Sequence, residues 1–256
     1  MNKIFLSMIL LGAVALPAQA GLVGLYQFNN PENLGLDNSG QNNNATNFGA
    51  AYSNTGYNGG SALFYGTQFL RAPINVAPNA MPSMTWGAWV KPTATNPVRA
   101  VLSTDNCCYD RDIDIDSRGG SLSWSAFTGN GVLSSGVPLS TSDWAFLAVS
   151  YDQQAQTMSL YVNNNPAVTA HTNFDLIGNN GFLDIAHNPS YGEYFAGYID
   201  NVFIYDQTLN AGQIAAIKNG GFSVDEPNLL MLMVLAMGTI ARKWIPKNKI
   251  GHNALA

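Results

Sequence analysis

The chain has 256 residues, 46% hydrophobic and 11% charged, which is enough to bury one sizeable core without forcing a second domain. Its formal net charge is -5, its pI is near 4.9, and the body carries no Lys/Arg cluster, which excludes a nucleic-acid footprint. Its two cysteines, Cys107 and Cys108, are adjacent and exclude a disulfide framework.

At the N-terminus Lys3, the apolar run Ile4 to Leu16 and the small-residue site Ala18-Gln19-Ala20 resemble a secretory signal, which places the mature start near Gly21. The run is too short to span a membrane and is followed at once by a strand pattern. Segment 1-20 is therefore expected to be a signal peptide, and 21-222 the folded domain.

Gly21 to Phe28 alternates and predicts the first strand. Asn29 to Asn47, dense in Asn, Asp, Gly and Ser, predicts a long loop. Ser61 to Ala72 reads as two short strands around Gly66. Met84 to Lys91 sets Met84, Trp86, Ala88 and Val90 against Thr85, Gly87, Trp89 and Lys91, and Pro92 ends it. Short strands then follow at Arg99 to Ser103, Asp110 to Asp116, Ser121 to Phe127, Trp144 to Tyr151, Thr157 to Val162 and Phe182 to Ala186. The closing segment, Tyr194 to Ile217, predicts a central strand, a turn and a helix of about two turns capped by Asn210, with Ile214 and Ile217 as its apolar edge. Alternation along the strand sorts Asp200 with Val202 and Ile204, and Ile199 with Phe203 and Tyr205. A carboxylate among core aliphatics needs donors or a cation beside it. Many short strands without helical periodicity predict an all-β antiparallel sandwich with one short C-terminal helix.

Six pieces, LVGLYQFNN, DNSGQNNNA, GGSALFYG, MTWGAWVKP, WAFLAVSYDQQAQTMSLYVNN and FAGYIDNVFIYDQTL, resemble in that order the laminin G-like, concanavalin A-like jelly-roll domains. The resemblance covers roughly Gly21 to Gly221. It implies two antiparallel sheets, one concave, with binding loops along a rim and often a bound calcium ion. Members include lectins, adhesion modules, spacers and glycoside hydrolases, so the resemblance does not fix one function.

After Phe222 the chain changes to Val224-Asp225-Glu226-Pro227, an apolar run Leu229 to Ala241, and Arg242-Lys243. Segment 223-256 resembles the PEP-CTERM sorting signal of Gram-negative bacteria, which implies an exosortase-type processing enzyme and transient insertion in the inner membrane. Asp225 stands where that signal usually has its first proline. An ordinary C-terminal anchor or amphipathic helix is the alternative. With the basic end cytoplasmic, the domain stays outside, at the cell surface or beyond it.

Three clusters could carry chemistry. In the family, the aspartate of Gly197-Tyr198-Ile199-Asp200 lies near the first strand and its loop, here Asp37 and Asn42, which implies one structural calcium ion. The alternative has Asp200 accepting backbone N–H groups and Asp37 forming an Asx-turn. The second is the polar loop Asp105, Asn106, Cys107, Cys108, Tyr109, Asp110 and Arg111, read as a ligand-binding rim. Its cysteines either close a strained vicinal disulfide or stand as reduced or modified thiols. The third is Asp112-Ile113-Asp114-Ile115-Asp116, which places three carboxylates on one strand face and resembles the E-I-D-x-E strand of family 16 glycoside hydrolases. Its outer carboxylates sit about 13 Å apart along the backbone, where a retaining glycosidase needs about 5 Å, and the short aspartates fit a solvated strand face equally well.

His171, His187 and His252 form no triad with Ser or Cys. Trp89, Trp124 and Trp144 suit either sugar stacking or the core. The leading expectation is a non-catalytic, exported module that binds glycan or a surface protein through rim loops. A passive component of an extracellular polysaccharide matrix is the second reading, and a glycoside hydrolase using Asp112 to Asp116 the third.

Overall fold

The computed structural model describes residues 21–105, 111–128, 131–171 and 181–222. In chain order the strands are β1 (Leu22–Tyr26), β2 (Thr46–Phe48), β3 (Ala51–Ser53), β4 (Ser61–Tyr65), β5 (Phe69–Ala72), β6 (Ser83–Pro92), β7 (Arg99–Ser103), β8 (Asp112–Asp116) and β9 (Ser123–Thr128). They continue with β10 (Gly131–Ser134), β11 (Ala145–Asp152), β12 (Thr157–Val162), β13 (Val168–His171), β14 (Leu183–Ile185), β15 (His187–Asn188), β16 (Glu193–Tyr194) and β17 (Ala196–Tyr205), followed by helix α1 (Ala211–Lys218). Two sheets stack face to face. The first runs β13-β12-β11-β6-β17-β4-β3 with β1 beside β17; the second runs β10-β9-β8-β7-β14-β5-β2 and carries the hairpin β15–β16. All pairings are antiparallel except the short contact of β16 with β7. The result is the expected all-β sandwich with one short helix.

β6 follows its sequence pattern. Met84, Trp86, Ala88 and Val90 enter the inter-sheet core, where they meet Trp124, Ile113 and Ile115 of the facing sheet. Thr85, Gly87 and Trp89 point to the outer side, and Gly87 is required there. A Cβ at that position would lie 2.1 Å from the Leu147 carbonyl oxygen and 2.5 Å from the Phe203 ring.

β17 is central, as its two-sided apolar pattern demands. It bonds β6 along one edge and divides the other between β4, beside Ala196 to Ile199, and β1, beside Val202 to Tyr205. Its faces are not those of simple alternation. The register against β6 jumps between Asp200, opposite Trp89, and Phe203, opposite Gly87, and Asn201 sits at φ +50°. This bulge adds a residue, so the strand changes phase. Ile199 joins Val202 and Ile204 in the core, while Asp200 goes outward with Phe203 and Tyr205. The expectation that Asp200 shares a face with Val202 and Ile204 is corrected by that extra residue.

Helix α1 caps the outer side of the first sheet. Asn210 Oδ1 accepts the Gln213 N–H at 3.0 Å and Gln213 Oε1 accepts the Asn210 N–H at 2.9 Å, a reciprocal capping box. Ile214 and Ile217 are its buried edge, each contributing about 1.5–3 kcal/mol. Leu209 N donates to Thr85 Oγ1 at 2.9 Å and Thr208 Oγ1 to the Tyr151 carbonyl at 2.8 Å, fixing the turn that delivers the helix.

The leader 1–20 and the tail 223–256, with Asp225, Glu226, Pro227, Arg242 and Lys243, lie outside the described residues, as do Asn106 to Asp110. Among the described residues no helix is long and apolar enough to cross a membrane.

Candidate functional site

The turn between β3 and β4, Gly56-Tyr57-Asn58-Gly59-Gly60, is where Asp200 acts. Gly56 N donates to the Gly59 carbonyl at 2.8 Å, and a Cβ on Gly56 would stand 2.0 Å from the Gly60 oxygen, so the turn closes only around glycine. Asp200 is fully buried, and its Oδ2 accepts the Asn58 N–H at 3.0 Å. Burial lifts its carboxyl to about 6, against the backbone N–H groups of Asn58, Asn201 and Tyr57, which pull it down. Its Oδ1 has no hydrogen-bond partner among the described residues.

Asp37 is satisfied separately. Its Oδ1 accepts from Leu25 N at 3.0 Å and Ser39 N at 2.9 Å, and its Oδ2 from Ser39 Oγ and Asn43 N, each at 2.8 Å. Burial alone would raise its carboxyl, but those donors outweigh it and hold the group below the usual aspartate range. Asn42, at φ +61°, turns the chain that brings Asn43 to it. Asp37 and Asp200 therefore share no donor, and Asp37 spends four acceptor positions on N–H and O–H groups. A hard cation takes about six to eight oxygens. This is the arrangement that the N–H-accepting alternative describes, with Asp37 and Asp200 drawing on separate donors. Among the described residues no three Asp, Glu, His or Cys side chains are grouped to hold a metal.

The rim reading of Asp105 and Arg111 is corrected, because both are buried. Arg111 Nη1 donates to the carbonyls of Val76 at 2.9 Å and Met81 at 2.7 Å, and its guanidinium carbon lies 4.7 Å from the Tyr151 ring centroid. Burial pushes its pKa down to about 10. Asp105 accepts Ser190 Oγ at its carbonyl, 3.1 Å away. Asn106, Cys107, Cys108, Tyr109 and Asp110 lie outside the described residues.

The acidic strand is also not a solvated face. Ile113 and Ile115 enter the core, and Asp112, Asp114 and Asp116 point to the outer side of the second sheet, where all three are buried. Burial drives Asp112 up to about 8; the Ser103 hydroxyl and Thr104 N–H lower it, and the charges of Asp105 and Glu193 raise it. Asp114 is raised well above its ordinary range by burial and by Asp112, Glu193 and Asp116, with Arg118 opposing. Asp116 is tied to Arg118, with Nε to Oδ2 at 2.7 Å. Hairpin β15–β16 supplies Glu193, held by Asn188 Nδ2 at 2.9 Å. Carboxylates so enclosed, with one outer member paired to an arginine, do not present the open pair that glycoside hydrolysis needs. Nearby Asp184, itself buried, takes Arg71 Nε at 2.7 Å and lies 2.8 Å from His187 Nδ1, a clamp joining β5, β14 and β15.

Openness lies instead on the outer side of the first sheet. Tyr57, 45% exposed, lies flat on Trp89 with ring centroids 3.4 Å apart and planes 11° from parallel. Trp144 meets Tyr57 edge-on at 6.3 Å and Tyr198 lies 6.3 Å from Trp144. Beside Tyr57 a cleft of about 490 Å³ opens between the turn and α1, lined also by Asn58, Asn201, Lys218 and Asn219. Of the three tryptophans that could stack or pack, Trp124 packs the core, while Trp89 and Trp144 join this cluster. Sequence reasoning missed Tyr57, Tyr198 and Lys218. The available signal was one aromatic inside an Asn/Gly turn, where nothing apolar is needed to close the chain.

Residues 65–215 match the family model described as the concanavalin A-like lectin/glucanases superfamily. Domain 4 of AbnA, a GH43 extracellular arabinanase from Geobacillus stearothermophilus solved with arabinotriose, is similar at TM-score 0.62 and 20% identity, over 78% of this chain and 99% of that one. The binding domain of Paraclostridial Mosquitocidal Protein 1 is similar at TM-score 0.60 and 14% identity, over 79% of this chain and 53% of that one. The botulinum neurotoxin serotype D/C VPI 5993 binding domain is similar at TM-score 0.57 and 16% identity, over 78% and 52%. The chain thus spans about half the length of the two toxin domains. At these identities the likeness is one of fold. A search of the curated proteins finds no match.

Proposed function

Because this chain belongs to the concanavalin A-like lectin/glucanase superfamily, we propose that it is a non-catalytic module that binds glycan through the outer side of its first sheet. The observation that carries this reading is the exposed Tyr57 ring, backed by Trp89 and flanked by Trp144, which in turn meets Tyr198, at the edge of the 490 Å³ cleft. A ring held rigid by a second ring offers a flat apolar surface at little entropic cost, and the Asn58 and Asn219 amides beside it match the donors and acceptors of sugar hydroxyls. The volume is within the ~300–1,000 Å³ of ligand pockets. That the similar arabinanase domain was solved with an arabinose oligomer favours the same class of ligand here.

The leader and the Asp225-Glu226-Pro227, apolar and Arg242-Lys243 pattern support export, transient inner-membrane insertion and exosortase-type sorting to the cell surface or matrix. A glycan array probed with the full chain and with Tyr57→Ala tests the binding reading. Hits lost in the variant support it. A blank array leaves the passive matrix component as the better description.

A further inference from the structure

Arg111 is the one buried arginine among the described residues, and no carboxylate there lies within ion-pair distance of it. The four described arginines compare directly at one edge of the guanidinium, where Nε–H and an Nη2–H point the same way and form a two-donor fork. Arg71 closes that fork on the Asp184 carboxylate, at 2.7 and 2.9 Å. Arg99 closes it on Asn96 Oδ1, at 2.9 and 2.6 Å, and Arg118 on Asp116 Oδ2, at 2.7 and 2.6 Å. In Arg111 only Nη1 is engaged, by the Val76 and Met81 carbonyls. Its Nε and Nη2 are buried and have no hydrogen-bond partner among the described residues.

The surroundings do not offset that charge. Alternation sets Arg111 on the inward side with Ile113 and Ile115, away from Asp112, Asp114 and Asp116. Tyr151 gives it a ring face, and the Tyr151 hydroxyl donates to the Phe127 carbonyl at 3.2 Å, so it brings no negative charge. Trp86 meets the same ring edge-on at 6.3 Å and adds another buried N–H, Nε1, without a partner among the described residues. With its pKa lowered only to about 10, Arg111 is charged at neutral pH. A charge in an apolar interior is tolerated when it is both paired and hydrogen-bonded. A water would serve the two N–H groups and leave the charge, whereas an anion answers both.

We propose that the Nε–Nη2 fork of Arg111 binds a small monovalent anion, a halide and in ordinary buffers chloride, inside the inter-sheet core. The site is separate from the Tyr57 cleft and does not rest on the glycan reading. Arg111, Tyr151 and Trp86 are each at most 1% exposed, so entry requires local opening, which favours a monatomic ion over a larger one. The ion would complete a junction in which Arg111 already holds the Val76 to Met81 connection between β5 and β6 against β8.

Thermal melts of the full chain, with gluconate exchanged for chloride at constant ionic strength, test the site. The melting temperature should rise by about 2–4 °C and saturate, as for a ligand present at several times its Kd. Bromide should act alike, and crystals grown with bromide should show its anomalous peak in contact with Arg111 Nε and Nη2. Arg111→Met should lose the chloride response, and Arg99→Gln, which alters a fork already closed on Asn96, should keep it. The bromide crystal uses the unaltered chain, so the assignment can fail even where Arg111→Met does not fold. A melting temperature indifferent to the exchange, a rise with formate but not with chloride, a response retained in Arg111→Met, or bromide found only at the surface with water at the fork overturns it.

Discussion

Asp200 and Asn58, 142 residues apart in the chain, are joined by one hydrogen bond of 3.0 Å from the Asn58 N–H to the Asp200 carboxylate. The bulge at Asn201 turns Asp200 out of the core, and that turn places the carboxylate under the loop that presents Tyr57. Asp200→Ala strands buried N–H groups and should cost about 3 kcal/mol in chemical denaturation. Asp200→Asn keeps one acceptor and should cost less. Chelation by EGTA should leave the wild-type melting temperature unchanged, since Asp37 and the Oδ2 of Asp200 accept from separate backbone and hydroxyl donors. A wild-type fall on chelation that Asp200→Ala does not show would place a cation there.

Gly87 answers a steric demand. A Cβ at this position meets a main-chain oxygen at 2.1 Å, and a backbone atom between two hydrogen-bonded strands cannot step aside. Gly87→Ala should therefore destabilise by about 3 kcal/mol, at or beyond the upper end of ordinary overpacking. Gly120→Ala, where nothing lies within 4 Å but φ is +118°, should cost less, about 1 kcal/mol of backbone strain. Equal costs in thermal melts would remove the packing argument.

Most of the scaffold could be read from periodicity. β6, β12 and the capped helix follow from alternation, the Asn210 N-cap and the Ile214–Ile217 edge, because each depends on local pattern. The short strands β2, β3, β10 and β13 were not legible: they are edge or near-edge pieces whose pairing comes from neighbours distant in sequence. The faces of β17 were misread for a similar reason. A bulge is a mismatch between two strands, and neither strand encodes it alone. Arg111 and the Asp112 to Asp116 row looked like surface because charged side chains are usually there. What surrounds them, the Val76 and Met81 carbonyls in one case and the nearby Glu193 charge from hairpin β15–β16 in the other, arrives from elsewhere in the chain. The Tyr57 site is assembled from a turn, two strands and a helix end, so no single motif announces it.

The buried acidic row gives the domain an unusual pH response. Burial pushes Asp112 up to about 8 in the fold, from ~3.9 in the unfolded chain, so its contribution is complete below about pH 4 and is lost as pH rises through about 8. Asp114 acts in the same direction. Asp37, held low, acts oppositely: its contribution is present above the unfolded pKa and lost as pH falls through the folded one. Stability should peak in mildly acidic solution and decline toward pH 8. Asp112→Asn, which cannot ionise, should flatten that decline, read as melting temperatures at pH 5, 7 and 9. A wild type equally stable at pH 5 and 8 would show that the row is hydrated and ionised throughout.

Arg111 separates a core role from a ligand role. Its guanidinium feeds two main-chain carbonyls and covers Tyr151, yet Nε and Nη2 have no hydrogen-bond partner among the described residues. Truncation to Ala opens a cavity beside Tyr151 and orphans the Val76 and Met81 oxygens, at a cost of about 3–5 kcal/mol. Met refills most of the stem volume and removes a buried charge together with two donors that have no partner among the described residues. Arg111→Met should therefore be about 2 kcal/mol less damaging than Arg111→Ala by urea denaturation. Neither variant should alter glycan affinity at temperatures where it remains folded, because the side chain faces the core. Equal losses in the two variants would show that the carbonyl hydrogen bonds outweigh packing. An Arg111→Ala chain of wild-type stability that no longer binds glycan would return Arg111 to the ligand site.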